Sequence, residues 1–279
     1  MSNRARNYNI VYTLCRLLTV FILCFSLAAC ATVPLTERKS LRLIPDAELL
    51  SLSDQEYTKV LHESKLSIDQ QKVQAVTRVG KRIASAAEGF LKDAKEENKL
   101  KNYQWEFNVI EDSKTANAWC MPGGKVAVYT GILPFTRTDA GLAVVLGHEV
   151  AHAIAEHGNE RMSEALLTQL GGVALSVALE NQPNETRQIF MAAYGVTANV
   201  GVLLPYSRLH ESEADRIGLT LMARAGYDPH EAIRFWQTMS EQGGSRPPEL
   251  LSTHPAPESR IDKIKSYIPE AMRSYKGKK

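Results

Sequence analysis

The chain has 279 residues, 44% of them hydrophobic, and a net charge of +2 from 33 basic and 31 acidic side chains. This nearly balanced charge gives no reason to expect nucleic acid as a partner, and the length is enough for one large domain with its own core. Of the four cysteines, only Cys120 lies beyond residue 30. A framework of disulfides within a mature chain is therefore excluded. Cys120 is predicted to be a small buried side chain, with a redox or intermolecular role as the alternative.

The N-terminus has the three parts of a secretory signal: early arginines, a short apolar run at residues 17–29, and small residues at the end of that run. The run is short for an ordinary membrane span, although an uncleaved anchor helix is the alternative. It closes on Leu-Ala-Ala-Cys, which resembles a bacterial lipoprotein signal in which Cys30 is lipidated and becomes the new N-terminus. Residue 31 is Ala rather than Asp, which by resemblance to bacterial sorting patterns favours the outer membrane.

The next elements are predicted from periodicity. Ser53 and Glu56 form a capping-box pattern, which predicts a helix that runs to about residue 62. Apolar side chains recur at helical spacing from residue 68 to about residue 94, which predicts a longer helix. Three short strands follow, at 103–110, 116–121 and 125–131, with a Pro-Gly-Gly turn between the last two. They predict a small antiparallel sheet.

The second half of the chain is predicted to be helical. Thr138 is a suitable cap for a helix that runs to about His157, with Gly158 as its stop. Pro183 lies between two apolar segments that predict a helical hairpin packed on the core, with membrane contact as the alternative. Further helices are predicted at 210–225, 229–241 and 258–268. The predicted fold class is α+β, mostly helical, with a signal peptide at 1–29, a lipidated tether at 30–51 and one domain at 52–279.

The helix after Thr138 carries the chain's clearest chemical pattern. His148, Glu149 and His152 form an HExxH motif. Residues four apart on a helix lie about 40° apart around the axis and about 6 Å along it, so two imidazoles can converge on one zinc ion. The adjacent glutamate can reach the water at the metal as a general base. A chance match on a surface helix is the alternative, but this motif lies in an apolar, capped helix.

Helical phase separates the other polar side chains of this segment. His157 lies about 180° from His148, which predicts that it faces away from the metal and interacts with the C-terminal dipole of the helix. Glu156 lies on the metal side, but about 9 Å along the axis from the midpoint of the two histidines. This is too far for a metal bond, so Glu156 is expected at the edge of the cleft or on the surface.

A catalytic zinc needs a third protein ligand and an open position for water. Glu211 and Asp215 are four apart on a predicted helix, so one carboxylate can bind zinc while the other accepts the N–H of a liganding imidazole. An acidic, solvated helix face is the alternative. Glu213, about 200° from Glu211, is expected to face elsewhere, and His210, about 100° round the helix, is not expected to be a ligand.

These motifs resemble metallopeptidase family 48, a gluzincin family of zinc endopeptidases. The resemblance includes HExxH, the segment ESEADRIG, and two further segments, NAWCMPGGKVAVYTGIL and LSTHPAPESRI. Together they cover residues 117–261 in the expected order. The resemblance implies a zincin-like domain with one Zn²⁺ per chain.

Carried over by position, the resemblance makes His148, His152 and Glu211 the zinc ligands. It makes Glu149 the general base, and it makes Asp215 the acid that supports a liganding histidine. It also implies an edge strand along which an extended peptide substrate is bound through its backbone, and this strand comprises Asn117, Ala118, Trp119, Cys120 and Met121.

Two residues near the C-terminus match family positions with roles that stay open. His254 matches a histidine near the metal, which by its chemistry can stabilise the oxyanion or act as a reversible lid ligand, with a loop-capping histidine as the alternative. Arg260 matches a family arginine, for which a salt bridge and a catalytic role are both open.

The resemblance implies a metalloendopeptidase that acts on misfolded or unassembled envelope proteins. The N-terminal signal predicts that it is anchored to the outer membrane by its lipid and faces the periplasm. Two departures are expected: the transmembrane helices of membrane-embedded members are weak and interrupted here, and no tetratricopeptide-like tail follows Ile261. The alternatives are an envelope chaperone or assembly factor that retains zinc for structure, and a membrane scaffold that needs no metal.

Overall fold

A computed structural model describes residues 30–168, 171–196, 208–242, 249–254, 259–275 and 277. The strands are β1 (Cys30–Thr32), β2 (Lys39–Leu41), β3 (Glu106–Ile110), β4 (Ala118–Met121) and β5 (Lys125–Tyr129). The helices of the first half are α1 (Asp46–Glu63), α2 (Gln70–Asp93), α3 (Leu133–Thr136), α4 (Asp139–Ile154) and α5 (His157–Thr168). Those of the second half are α6 (Leu175–Asn181), α7 (Pro183–Ala193), α8 (Arg208–Arg224), α9 (Glu231–Gln242), α10 (Glu249–Thr253) and α11 (Ser259–Met272). The α+β class, mostly helical, is confirmed.

The main sheet is mixed. Its strand order is β3-β5-β4, with β5 antiparallel to β4 and parallel to β3. The turn between β4 and β5 contains Gly123 and Gly124, both with φ near +80°, a conformation that glycine adopts without steric cost. This turn folds β5 back between the other two strands, so the expected antiparallel pairing is correct for β4 and wrong for β3. The only other sheet among the described residues is the β1–β2 hairpin.

Helix α2 confirms the predicted long helix and supports the sheet. Asp69 caps it by accepting hydrogen bonds from the backbone N–H groups of Gln71 and Lys72. Its apolar face is buried in the main core together with side chains of the sheet and of α4. This packing places the helix that carries the HExxH motif in the middle of the domain.

Helix α1 begins earlier than predicted, and the two capping-box residues make tertiary contacts instead of capping it. The helix starts at Asp46, and Ser53 lies inside it, buried, with its hydroxyl donating to the carbonyl of Pro122 at 2.7 Å. Glu56 forms an ion pair with Arg187 of α7 at 3.0 Å. The pattern therefore marks a contact between α1 and the rest of the domain, and the helix-start prediction at Ser53 is wrong.

The segment expected to be a tether is folded in the structure. Residues 30–41 form the β1–β2 hairpin, and Val33 in this hairpin is fully buried in the main core. Residues 46–51 are already the first turns of α1. The signal predicted at 1–29 lies outside the described residues.

The predicted apolar hairpin is a set of short helices. Pro183 begins α7 directly after α6, which confirms the predicted break between the two segments. The second apolar segment is predicted at 186–204, and its residues 197–204 lie outside the described part of the chain. Within that part, no helix combines the length and the apolar character needed to cross a membrane.

Candidate metal centre

Helix α4 carries the two motif histidines on one buried face. Thr138 caps it as predicted, with its hydroxyl accepting from the Gly141 N–H at 3.0 Å. His148 and His152 are both 4% exposed, and their Nε2 atoms lie 3.0 Å apart. Two ring nitrogens at this distance either share one proton or face a common cation. The predicted convergence of the two side chains is therefore present.

The third predicted ligand comes from α8, which crosses α4 at a glycine–glycine contact. A Cβ on Gly218 would lie 3.0 Å from the backbone carbon of Gly147, so the two backbones approach as closely as glycine allows. This approach brings the carboxylate of Glu211 to 3.3 Å from Nε2 of His148 and 3.4 Å from Nε2 of His152. The close packing of α4 and α8 thus brings the three residues together. The spacing of the motifs in the sequence does not predict this packing.

His254 completes the cluster from the end of α10. Its Nδ1 lies 3.0 Å from Oε1 of Glu211 and 3.2 Å from Nε2 of His148. One ligand atom from each of four side chains, His148, His152, Glu211 and His254, lies within 4.8 Å of all the others. The backbone N–H of Leu250 donates to the carbonyl of Ala116 at 3.0 Å, which holds α10 against the segment that leads into β4. In this conformation the fourth side of the cluster is occupied by protein.

Glu149 is positioned beside the cluster but outside the ligand set. Its side chain is 2% exposed, and Oε1 lies 3.5 Å from Nε2 of His254. Within the described part of the chain this oxygen accepts no hydrogen bond. Burial raises the pKa of the Glu149 carboxyl, against the opposing effect of neighbouring histidines. A buried carboxylate oxygen with unused acceptor capacity is suited to taking a proton from a molecule that enters the site.

The donor set fits a metal ion. Three imidazoles and one carboxylate, all buried, present nitrogen and oxygen atoms toward one point. Burial opposes the charge on Glu211, but His254, Arg260 and His148 outweigh it, and the pKa of the Glu211 carboxyl is lowered. Such N/O sets are typical of transition-metal sites in proteins.

Asp215 and Arg260 support His148 from behind, as the i, i+4 spacing of Asp215 with Glu211 predicts. Oδ1 of Asp215 lies 3.0 Å from Nδ1 of His148. Arg260 donates to both carboxylate oxygens of Asp215, at 2.8 and 2.9 Å, and its guanidinium carbon lies 3.5 Å from the centroid of the Trp236 ring. Burial opposes the charge on Asp215, but Arg260 outweighs it, and the pKa of Asp215 is lowered. Arg260 therefore has a structural salt bridge, whatever else it does.

His157 does not face away from the metal side chains. Helix α4 ends at Ile154, and Glu156 takes a left-handed backbone conformation with φ of 58°, which turns the chain before α5 begins at His157. The His157 ring is fully buried, with Nδ1 2.9 Å from Nδ1 of His152. The prediction for His157 assumed one continuous helix, and the break at Glu156 makes it wrong. Left-handed turns are usually predicted from glycine, and a glutamate at this position does not indicate one.

Gly158 is likewise not the predicted helix stop. It lies inside α5, where a Cβ would meet the ring of Tyr194. Glu156 is half-buried and pairs with Arg42 and Lys99, each at 2.7 Å, so it lies beside α4 rather than in the ligand cluster, as expected.

Glu213 and His210 are also closer to the site than their helical phase predicts. Glu213 is 4% exposed and accepts from Nε2 of His157 at 3.2 Å. The His210 ring stacks on the His157 ring with centroids 4.4 Å apart. Neither belongs to the ligand set, which agrees with the expectation. Both lie on α8 and contact His157 of α5, whose position depends on the turn at Glu156.

Strand β4 is an edge strand of the sheet, as the resemblance implies. Ala118, Trp119, Cys120 and Met121 form it, and Asn117 precedes it with its side-chain N–H donating to the carbonyl of Gly195 at 3.2 Å. All five residues are buried, and burial raises the pKa of the Cys120 thiol. Cys120 is thus a small buried side chain. Peptide binding along β4 stays a prediction.

An HExxH pair joined by a glutamate from a second helix defines the class of metal-dependent peptidases known as gluzincins. Residues 73–268 match Peptidase family M48, and the chain belongs to this family.

Several curated proteins are similar to the chain. "Mitochondrial metalloendopeptidase OMA1" of Schizosaccharomyces pombe is 40% identical over 177 residues, which cover 62% of the chain and 49% of that protein. The protein of the same name in Saccharomyces cerevisiae is 35% identical over 196 residues, covering 67% and 54%. "Beta-barrel assembly-enhancing protease" of Escherichia coli is 33% identical over 153 residues, covering 52% and 31%. The chain spans about half the length of the first two relatives and a smaller share of the third.

Proposed function

We propose that the protein is a zinc-dependent endopeptidase of the bacterial cell envelope. The observation that carries the proposal is the buried, unused carboxylate oxygen of Glu149 beside the side chains of His148, His152 and Glu211. Membership of peptidase family M48 supports it, as do relatives whose names describe metalloendopeptidases.

Each residue of the site has its own role in the proposed reaction. His148, His152 and Glu211 would hold one Zn²⁺, with Asp215 keeping the His148 ring in its orientation through Nδ1. Zinc bound there would polarise the scissile carbonyl and make water a nucleophile at neutral pH. Glu149 takes the proton of the attacking water and delivers it to the leaving amine. The edge of β4 would align the substrate backbone by adding it as a further strand.

The cellular setting is part of the proposal. The Leu-Ala-Ala-Cys pattern supports lipidation at Cys30, and Ala31 supports the outer membrane with the domain in the periplasm. The proposed substrates are misfolded or unassembled envelope proteins. Two bacterial relatives named "Beta-barrel assembly-enhancing protease", from Escherichia coli and Yersinia pestis, support this choice.

A second candidate is an envelope chaperone or assembly factor with a structural or latent zinc site. The position of His254 favours it, because a fourth protein ligand leaves no open position for water and structural zinc sites are closed in this way. The presence of Glu149, which no structural zinc site requires, argues for the peptidase.

The test compares purified full-length protein in detergent with its Glu149→Gln variant. Zinc content is measured by atomic absorption, and cleavage is measured on an unfolded protein such as reduced, alkylated casein. We expect one zinc per chain in both, and a loss of cleavage of about 10²- to 10⁴-fold in the variant. Glu164→Gln, which changes an exposed carboxylate outside the cluster, is the matched control and should retain cleavage. Zinc in both proteins with equal or no cleavage would support the chaperone, and wild type without stoichiometric zinc would refute both functions.

A further inference from the structure

The His152 ring has a neighbour at each of its two nitrogens. Nε2 faces the ligand cluster, 3.0 Å from Nε2 of His148, and Nδ1 lies 2.9 Å from Nδ1 of His157. An imidazole nitrogen that binds a metal carries no proton, so the proton of neutral His152 must be on Nδ1. That proton needs an acceptor, and Nδ1 of His157 is in position to accept it.

The same reasoning determines the tautomer of His157. If Nδ1 accepts, the proton of His157 is on Nε2, which lies 3.2 Å from Oε2 of Glu213. The two hydrogen bonds then run in one direction, from His152 to His157 and from His157 to Glu213. Histidines that bind metals are usually held by such a second hydrogen bond, which sets both the tautomer and the ring plane.

Glu213 is held in turn by the N-terminal hairpin. Nε of Arg38 donates to Oε2 of Glu213 at 2.7 Å, and the hydroxyl of Thr36 donates to Oε1. Arg38 also donates twice to Glu160 of α5, at 2.7 Å each. One arginine of the hairpin therefore joins α5, which presents His157, to α8, which presents both Glu213 and Glu211.

We propose that His157 is a positioning residue for the metal ligand His152, and that Arg38 of the N-terminal hairpin fixes His157 through Glu213. The proposal deepens the proposed function and rests on its metal site. It gives the segment around Arg38 a role in the metal centre, although this segment lies more than a hundred residues before the motif and outside the family match.

The experiment measures zinc affinity by competition with a chromophoric chelator. His157→Phe keeps a buried ring but removes both hydrogen bonds, and we expect it to weaken zinc binding by about 10- to 100-fold. His157→Gln restores an acceptor and a donor and should lose less. His230→Phe is the matched control, because His230 is exposed and its ring contacts the carboxylate of Asp228, away from the cluster. The visible absorption of the Co²⁺-loaded protein should change in His157→Phe and stay unchanged in His230→Phe.

A second pair of variants tests the hairpin without touching a histidine. Arg38→Gln should weaken zinc binding, whereas Arg216→Gln, which removes a two-bond pair with Glu270 from the same helix α8, should not. This pair decides the question if His157→Phe does not fold. Equal zinc affinity in Arg38→Gln and Arg216→Gln would overturn the proposal. So would a His157→Phe variant that melts at a lower temperature before zinc is added but binds zinc as tightly as wild type.

The outcomes separate this proposal from the proposed function. Stoichiometric zinc without Glu149-dependent cleavage would defeat the peptidase and leave the role of His157 standing. Cleavage together with unchanged zinc affinity in the His157 and Arg38 variants would defeat only the role of His157. Wild type that binds no zinc would overturn both.

Discussion

The Arg260 guanidinium clamps the Asp215 carboxylate with two hydrogen bonds, and Asp215 lies 3.0 Å from Nδ1 of His148. Arg260 also lies 3.1 Å from Oε2 of Glu211. Its charge thus stabilises two buried carboxylates, one in the ligand cluster and one behind it. The last helix of the domain is tied to the metal centre by this residue.

We predict that Arg260→Met lowers the free energy of unfolding by about 3–5 kcal/mol, because it leaves two buried carboxylates without their cation. Urea unfolding followed by circular dichroism measures this. Arg216→Gln removes a partly exposed arginine–glutamate pair and should cost about 0–1 kcal/mol. Equal losses in the two variants would show that Arg260 has no special electrostatic role.

The glycine contact between α4 and α8 yields a prediction for both stability and metal binding. Gly218→Ala places a methyl group about 3.0 Å from the Gly147 backbone, which cannot yield without moving a helix. We expect a loss of about 1–3 kcal/mol in unfolding free energy together with weaker zinc binding, since Glu211 is on the displaced helix. Gly89→Ala in α2 meets no atom within 4 Å and should stabilise by about 0.5–1 kcal/mol. If Gly218→Ala binds zinc as tightly as wild type, the close spacing of α4 and α8 is not required for zinc binding.

His254 is the residue whose removal should open the cluster. Its Nδ1 lies 3.0 Å from Oε1 of Glu211, within the ligand set, so His254→Ala should free a position for water. We expect faster cleavage of unfolded protein and somewhat weaker zinc binding, both measured at several zinc concentrations. A His254→Ala variant that keeps its zinc but loses cleavage would instead support the oxyanion role of His254.

We predict that the stability of the protein depends on pH through the carboxyl group of Glu160. Burial opposes its charge, but hydrogen bonds from Arg38 and His210 outweigh burial and hold its pKa well below the usual range. A carboxyl whose pKa is lower in the folded than in the unfolded state stabilises the fold above the unfolded value of about 4.3, and this contribution is lost as the pH falls. Glu160→Gln should therefore melt below wild type at neutral pH, with a gap that narrows on acidification below about pH 4.

The control for this prediction is Glu164→Gln, on the exposed side of the same helix. Its melting temperature should follow that of wild type at every pH tested. A gap for Glu160→Gln that stays constant or widens on acidification would contradict the assigned direction of the pKa shift.

The amino-acid sequence by itself determined the elements whose information is local. The i, i+4 spacing of His148 with His152, and of Glu211 with Asp215, places each pair on one helix face, and the structure brings all four side chains together. Thr138 as a cap and the break at Pro183 are local signals of the same kind.

Other features depend on contacts between segments that are far apart in the sequence, and only the tertiary structure decided them. The left-handed turn at Glu156 ends α4 early and returns His157 to His152, where a continuous helix would have turned it away. The position of β5 at the centre of the sheet makes its pairing with β3 parallel, and the half-buried Arg38 joins the hairpin to Glu213. Such contacts arise from packing between segments far apart in the chain, and helical phase and spacing carry no record of them.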